Sequence, residues 1–344
     1  MGKLLHNRVN RDELRQLVRQ EDRLRTTLSF YAYTRLVDPH LFRDEFYAQL
    51  HLLGVFGRIY VASEGVNAQI SVPTDQLEAF RAYLDTIPFL RNIRLNIAVE
   101  DDGKSFFTLA IKVKEKIVAD GLNDVEFDVT DRGVHLSAEA FNSLTENPDT
   151  IVVDMRNFYE SEVGHFEKAI LPPMGTFREG LPMVADMLDE EREKHIVMYC
   201  TGGIRCEKAS AYMKYRGYKN VYQLDGGIIE YARQVEKNGL PNKFIGKNFV
   251  FDDRLGERIS DDVIATCHQC GHEADEHTNC ANDACHILFI QCPDCAVEYE
   301  GCCSVECMEF THLPEEERKM QRKHRVFNGT RHSKSKPGLL LSEK

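Results

Sequence analysis

No apolar run in this sequence approaches the roughly 18 residues needed to cross a bilayer, so a membrane-spanning chain is excluded. The first 25 residues are laced with charge and lack an apolar core followed by a small-residue cleavage site. A secretory signal is therefore not expected, and the protein is placed in the cytoplasm. Positive charge is also in deficit. Lys and Arg total 43 against 55 Asp and Glu, a net of -12, which excludes a chain that coats nucleic acid through bulk charge. The sequence holds no Gly-x-Gly-x-x-Gly fingerprint and no pair of His with a carboxylate at iron-binding spacing, so NAD, flavin, haem and non-haem iron have no visible home. What remains is a globular composition, 42 % hydrophobic and 28 % charged, spread over 344 residues. That length exceeds the usual domain by a factor of roughly two to four, so two or three domains are expected.

Charge is uneven along the chain. Residues 318–336 hold eight Lys or Arg and no acid, which leaves the rest of the chain at about -20. This composition fits a solvated basic tail or, in a sharper reading, an arm that touches phosphates. Residues 3–25 carry seven basic and four acidic residues at helical spacing and read as a surface helix.

Between these ends the hydrophobic period changes twice. Residues 28–36 read as an aromatic-rich strand, followed by a helix with Phe42, Phe46, Leu50 and Leu53 on one face. Strands over 58–62 and 66–72 join through Glu64 and Gly65 as a hairpin, with Val66, Ala68, Ile70 and Val72 on one side. Thr74 is placed to cap a helix carrying Leu77, Phe80, Leu84 and Ile87, and alternating strands follow at Ile93, Leu95, Ile97 and at Phe107, Leu109, Ile111, Val113. The order β-α-β-β-α-β predicts an α+β ferredoxin-like (acylphosphatase-like) domain with an extra strand. After a linker, short continuous apolar runs at 151–153, 196–199 and 221–224 alternate with helices beginning near Ser137, after Arg205 and after Gly227. Such runs read as buried parallel strands of an α/β domain, ending where Asn238, Gly239 and Pro241 break the last helix. The expected division is a helical segment 1–25, a ferredoxin-like domain 26–120, a parallel-sheet domain 121–240, and a Cys-rich domain with basic tail 241–344.

The eleven cysteines form two separate systems. Cys200 and Cys206 flank the loop Thr201-Gly202-Gly203-Ile204-Arg205, which follows directly on a buried strand and leads into a helix. A cysteine at the carboxyl end of a parallel strand, beneath a helix amino terminus, sits where open α/β sheets bind ligands. Inward-pointing amides, the helix dipole and the fixed charge of Arg205 all favour a thiolate. Cys206 reads either as a resolving thiol for an oxidised Cys200 or as a packed first-turn residue.

The other nine lie between 267 and 307. Cys267-x2-Cys270, Cys280-x4-Cys285, Cys292-x2-Cys295 and the set Cys302, Cys303, Cys307 make four ligand groups, enough for two four-coordinate Zn sites with one cysteine to spare. His268, His272, His277 and His286 are available as substitutes, sequential and interleaved pairings are both open, and disulfides or free thiols are the alternative.

Residues 121–237 resemble the rhodanese superfamily, whose active loop is Cys, four residues, then Arg. Asp154-Met155-Arg156, Glu160, Gly164-His165-Phe166 and Leu224-Asp225-Gly226-Gly227 are similar to the family's other signatures. The resemblance implies that Cys200 carries a persulfide, cradled by the loop amides, with Arg205 catalytic beside it and Asp154 and Arg156 supporting. Four intervening residues, rather than the five of related phosphatases, suit a single terminal sulfur. The whole order of parts, with Cys280-Ala-Asn-Asp-Ala-Cys285 and Phe289-Ile-Gln-Cys292, resembles the bacterial tRNA uridine hydroxylase family. That resemblance implies tRNA as substrate, molecular oxygen as co-substrate, 5-hydroxyuridine at the wobble position as product and Cys200 as the essential residue, acting as a persulfide or an oxidised thiol. A sulfur- or electron-donor protein is a further candidate partner. Tyr31, Tyr33 and Phe106 are candidates for stacking on bases. The competing class is a sulfurtransferase that moves sulfane sulfur from thiosulfate or a persulfide carrier.

Overall fold

The computed structural model describes residues 23–101, 103–122, 128–322 and 324–329. The helix expected over 3–25, save its last three residues, and the basic arm beyond 329 lie outside the described residues. No described helix is long and apolar enough to cross a membrane.

The first unit is built from β1 (Arg25–Tyr33), α1 (Pro39–Leu52), β2 (Phe56–Ala62), β3 (Gly65–Pro73), α2 (Leu77–Thr86), β4 (Asn96–Ile97) and β5 (Leu109–Val113). The sheet order is β4-β1-β3-β2-β5, with β5 parallel to β2 and the other pairs antiparallel. This is the ferredoxin-like arrangement plus the extra strand expected from the alternation of Leu109, Ile111 and Val113. Leu28, Phe30, Ile59, Val61, Ala68 and Ile70 bury one face of the sheet against Phe46, Leu50, Phe80 and Leu84 of the two helices. The period-two pattern leaves the opposite face polar, and that face matters below. Three local expectations are corrected. β1 begins and ends three residues earlier than 28–36. Thr74 opens a single 3-10 turn, and α2 starts after Gln76 without a side-chain cap. Only Asn96 and Ile97 of the 93–97 alternation pair as strand, because β1 offers just Leu28 and Ser29 as partners there.

The second unit has a parallel sheet ordered β6-β10-β9-β7, from β6 (Val134–Leu136), β7 (Thr150–Asp154), β9 (His195–Tyr199) and β10 (Asn220–Leu224). On its faces lie α3 (Ala138–Leu144), with Ser137 as its cap, α5 (Phe177–Met187), α6 (Ile204–Tyr215) and α7 (Gly227–Asn238), capped at its end by Gly239. A short helix α4 (Phe158–Ser161) and β8 (Gly164–Phe166) lie between β7 and α5. α6 begins at Ile204, so Arg205 lies inside its first turn rather than before it.

Beyond Pro241 the sequence shows little period, yet β11 (Phe244–Asn248) pairs antiparallel with β8 on one side and with β12 (Glu257–Arg258) on the other. Phe244 packs with Phe166, Tyr199 and Tyr231 in the core. The C-terminal segment is thus fastened to the parallel-sheet unit before it reaches β13 (His277–Asn279), β14 (Leu288–Ile290), α8 (Pro293–Glu298), α9 (Val305–His312) and α10 (Glu315–Gln321). The outer half of the basic segment is not described. Of its first residues, Lys319 is paired with Glu315 and Glu316.

Candidate active site

Cys200 leaves β9 at its carboxyl end, and the chain must then turn sharply to start α6. Gly203, at φ +96°, makes the turn, and a Cβ there would come within 2.9 Å of the Tyr31 hydroxyl. Its N–H donates to Cys200 Sγ at 3.2 Å. The turn is buttressed by the start of α7: Ile228 N and Ile229 N donate to the carbonyls of Cys200 and Thr201 at 3.0 and 3.2 Å. Gly227 permits that approach, since a Cβ at its position would lie 2.4 Å from the Cys200 carbonyl oxygen. The Leu224-Asp225-Gly226-Gly227 signature therefore supports the cysteine loop.

Arg205 is 9 % exposed and forms a two-armed ion pair with Glu160 at 2.7 and 2.8 Å, with Thr201 Oγ1 at 3.4 Å. Burial works against its charge, but the Glu160 carboxylate outweighs that and keeps the guanidinium protonated. Burial is also the largest influence on Cys200 and opposes the thiolate. The Cys206 thiol, the charge of Arg205 and the N–H groups of Cys206 and Arg205 outweigh it together and hold the Cys200 thiol down at about 6. Cys206 is pushed the other way, first by burial and then by its bond to Cys200. It stays a thiol and donates to the thiolate beside it. The thiolate is therefore the favoured form of Cys200 at neutral pH.

Asp154 and Arg156 are both fully buried, with bonds of 2.6 to 3.1 Å between the guanidinium and the carboxylate. Arg156 also donates to the Gly164 carbonyl at 2.6 Å. The pair therefore ties the end of β7 to β8, one strand away from the cysteine. Asp154 and Tyr199, the residue before Cys200, face each other across the β7–β9 pairing.

The polar face of the first sheet closes over this loop. Tyr31 donates to Glu207 at 2.9 Å, Tyr33 to the Ile204 carbonyl and Asn96 to the Gly202 carbonyl, each at 3.3 Å, and Arg94 is paired with Asp225. Glu207, in the first turn of α6, also accepts from His135 and Arg132. Burial opposes its charge, and those two partners still hold it down at about 2. Lys208, fully buried, reaches Glu64 and Asp120. Between sheet and loop lies a cavity of about 380 Å³ whose walls include Tyr60, Gln69 and Asn96 from the sheet, Cys200 and Arg205 from the loop, and Phe251 from the C-terminal segment. Cys200 is 1 % exposed and forms part of the wall of this cavity. Tyr31 and Phe106, expected as base-stacking candidates, also line it, whereas Tyr33 lies in the groove behind Gly202.

A rhodanese-like domain model matches residues 137–234, a UPF0176 acylphosphatase like domain model matches 25–117 and a rhodanase C-terminal model matches 245–308. Over 335 residues, 96 % of this chain and 95 % of the relative, the sequence is 58 % identical to a tRNA uridine(34) hydroxylase of Photorhabdus laumondii. The chain belongs to the tRNA uridine(34) hydroxylase family. Family members of Pectobacterium carotovorum and Yersinia pestis are likewise 58 % identical, each over 98 % of this chain and 96 % or 95 % of its own length.

In this member of the tRNA uridine(34) hydroxylase family the remaining nine cysteines are all free, and eight of them converge in two groups of four. Cys267, Cys270, Cys292 and Cys295 form one, Cys280, Cys285, Cys303 and Cys307 the other, with all sulfurs of a group within 4.8 Å of one another. The pairing is interleaved: the first ligand group joins the third and the second joins the fourth. Sulfur separations of 3.6 Å for Cys270–Cys292 and 3.7 Å for Cys285–Cys303 and Cys303–Cys307 are far too long for disulfides. They match the edge of about 3.8 Å expected for a tetrahedron with metal–sulfur bonds of about 2.3 Å. Backbone and amide N–H groups already point at several of these sulfurs, among them Asn282 at Cys307, 3.3 Å, and Cys303 N at Cys280, 3.4 Å. Cys302 lies outside both groups. Cys303 and Cys307 are one helical turn apart around the cap Ser304, and Cys302 is one position off that line. Among the described residues no histidine joins either group. His268 pairs with Glu162.

Two contributions were missed from sequence. One is the sheet's polar face, whose signal was the alternation of Asn67, Gln69 and Ser71 between the apolar residues already assigned to the core. The other is the stretch around Phe251, Arg254 and Glu257, which has no local period to announce it.

Proposed function

We propose that this chain hydroxylates the wobble uridine of tRNA, position 34, at C5 to give 5-hydroxyuridine in the cytoplasm, with Cys200 as the catalytic residue. The reading is carried by one observation: Cys200, its thiol held down at about 6 beside Arg205 and the N–H groups of its loop, borders the cavity between sheet and loop, in a chain of this family. Arg205 and the N–H groups of Gly203, Arg205 and Cys206 hold negative charge at the sulfur. Asp154, Arg156 and Glu160 position the loop and do not touch the reacting atoms. Molecular oxygen is the co-substrate proposed for replacing C5–H by C5–OH. The second oxygen atom then leaves as water, which requires two electrons from a separate donor. Nucleoside analysis of tRNA from a strain lacking this gene tests the reading. Loss of 5-hydroxyuridine and its derivatives, restored by the intact gene, is expected. Loss of a thiolated base instead would place the chain among the sulfurtransferases.

The two cysteine groups are proposed as structural Zn sites. Four thiolates fill a tetrahedron and leave no open position for substrate, so the metal would fasten the loops of 265–310 and take no part in the reaction. Metal analysis of protein purified without chelator should give about two Zn per chain, and about one in Cys285→Ser; fewer than about one in the intact protein contradicts the assignment.

A further inference from the structure

Across the polar face of the first sheet the strand registers line up one row of side chains: Asn96 on β4, Ser29 on β1, Gln69 on β3 and Arg58 on β2. All four border the cavity that holds Cys200. The amide orientations in this region are set by a chain of bonds that starts at a main-chain carbonyl. Ile117 O can only accept, so the end of Asn67 lying 3.2 Å from it is its NH2. Asn67 Oδ1 is then the acceptor for Gln69 Nε2, at 2.6 Å. Gln69 Oε1 is left on the other side of that amide with no protein partner among the described residues, beside one remaining N–H. In the same row Asn96 gives its NH2 to the Gly202 carbonyl, and its Oδ1 is buried without a hydrogen-bond partner. The buried unmatched acceptor of Asn96, beside the half-buried Gln69 in a row that borders the cavity, marks a place for a donor from a ligand.

We infer that Gln69, oriented by Asn67, reads the Watson–Crick edge of the target uracil, accepting its N3–H at Oε1 and donating to a neighbouring carbonyl. The inference rests on the function proposed above and assigns the determinant of base choice. Uracil presents a donor between two carbonyl acceptors, which an amide matches in bidentate fashion. Cytosine presents an unprotonated N3, which would face Oε1 lone pair to lone pair. Tyr60, Phe106 and Phe251 in the same walls supply the flat apolar surfaces between which an extruded base is held. In a pyrimidine ring the C5–C6 edge lies away from N3. Fixing N3 on the sheet therefore turns the carbon to be hydroxylated toward the side of the cavity supplied by the cysteine loop.

The test is equilibrium binding of two anticodon stem-loop RNAs, one with uridine and one with N3-methyluridine at position 34, to full-length protein. For the unaltered protein the methyl group should weaken binding about tenfold. Gln69→Leu should bind the uridine RNA about tenfold more weakly and lose the methyl penalty to within about twofold, with the pH profile of Cys200 alkylation unchanged as a sign that the loop is intact. Gln69→Asn, which withdraws the acceptor by one methylene, carries the same comparison if the Leu variant does not fold. A full methyl penalty retained in the Gln69 variants, or none in the unaltered protein, overturns the inference. The underlying function fails separately, if the gene-deleted strain keeps its 5-hydroxyuridine.

Discussion

Cys200→Ser should reduce 5-hydroxyuridine in the tRNA of a complemented deletion strain by at least about a thousandfold, to the level of the empty vector, while the protein accumulates normally. The two side chains differ by one atom, and the Gly203 amide can donate to an oxygen as well as to a sulfur. What changes is the charge state. The cradle holds the thiol down at about 6, so most of it is anionic at neutral pH, whereas a serine hydroxyl remains protonated under the same stabilisation. A serine variant that still made the product would separate the reaction from the sulfur. Melting temperature supplies the control: Ser fills the same buried position, and a shift of only a few degrees is expected.

The second large effect is on stability. Asp154→Asn should destabilise the protein by about 3 to 5 kcal/mol, since it leaves the Arg156 guanidinium fully buried without its carboxylate. For a unit of this size that corresponds to a fall in melting temperature of about 10 °C or more. The double variant Asp154→Leu, Arg156→Met removes both charges and should lose less than the single one, because no ion is left unpaired. If the single variant melted within about 2 °C of the unaltered protein, the pair would not be holding β7 to β8.

Elements with a local signal were legible in the sequence, and those made by distant partners were not. Val66, Ala68, Ile70 and Val72 announce β3 because a sheet with one buried face must alternate, and all four are fully buried. Cys200 and Arg205 are close in sequence and share one turn, so their chemistry could be read from spacing. β11 could not be read in this way. Its place is fixed by β8, some 80 residues earlier, and its Phe244 fills a core built by other segments. The interleaved cysteine groups are similar: spacing gives the ligand pairs, but which pairs share a metal depends on how β13 and β14 fold back on each other. Glu160 was noticed as part of a signature, yet its function as the anchor of Arg205 needed the two bonds seen only in three dimensions. The cavity itself is made by three parts of the chain, so no single stretch of sequence encodes it.

Every role assigned to the cavity presupposes an ionised sulfur at its edge. Alkylation of Cys200 by iodoacetamide, followed by mass spectrometry across pH 4 to 10 in the intact full-length protein, measures that ionisation directly. Half-maximal reactivity near pH 6 is expected, moving to higher pH in Cys206→Ala, where the donating thiol is gone. A midpoint at pH 8.5 or above, or a sulfur that does not react at any pH in the folded protein, would contradict the account.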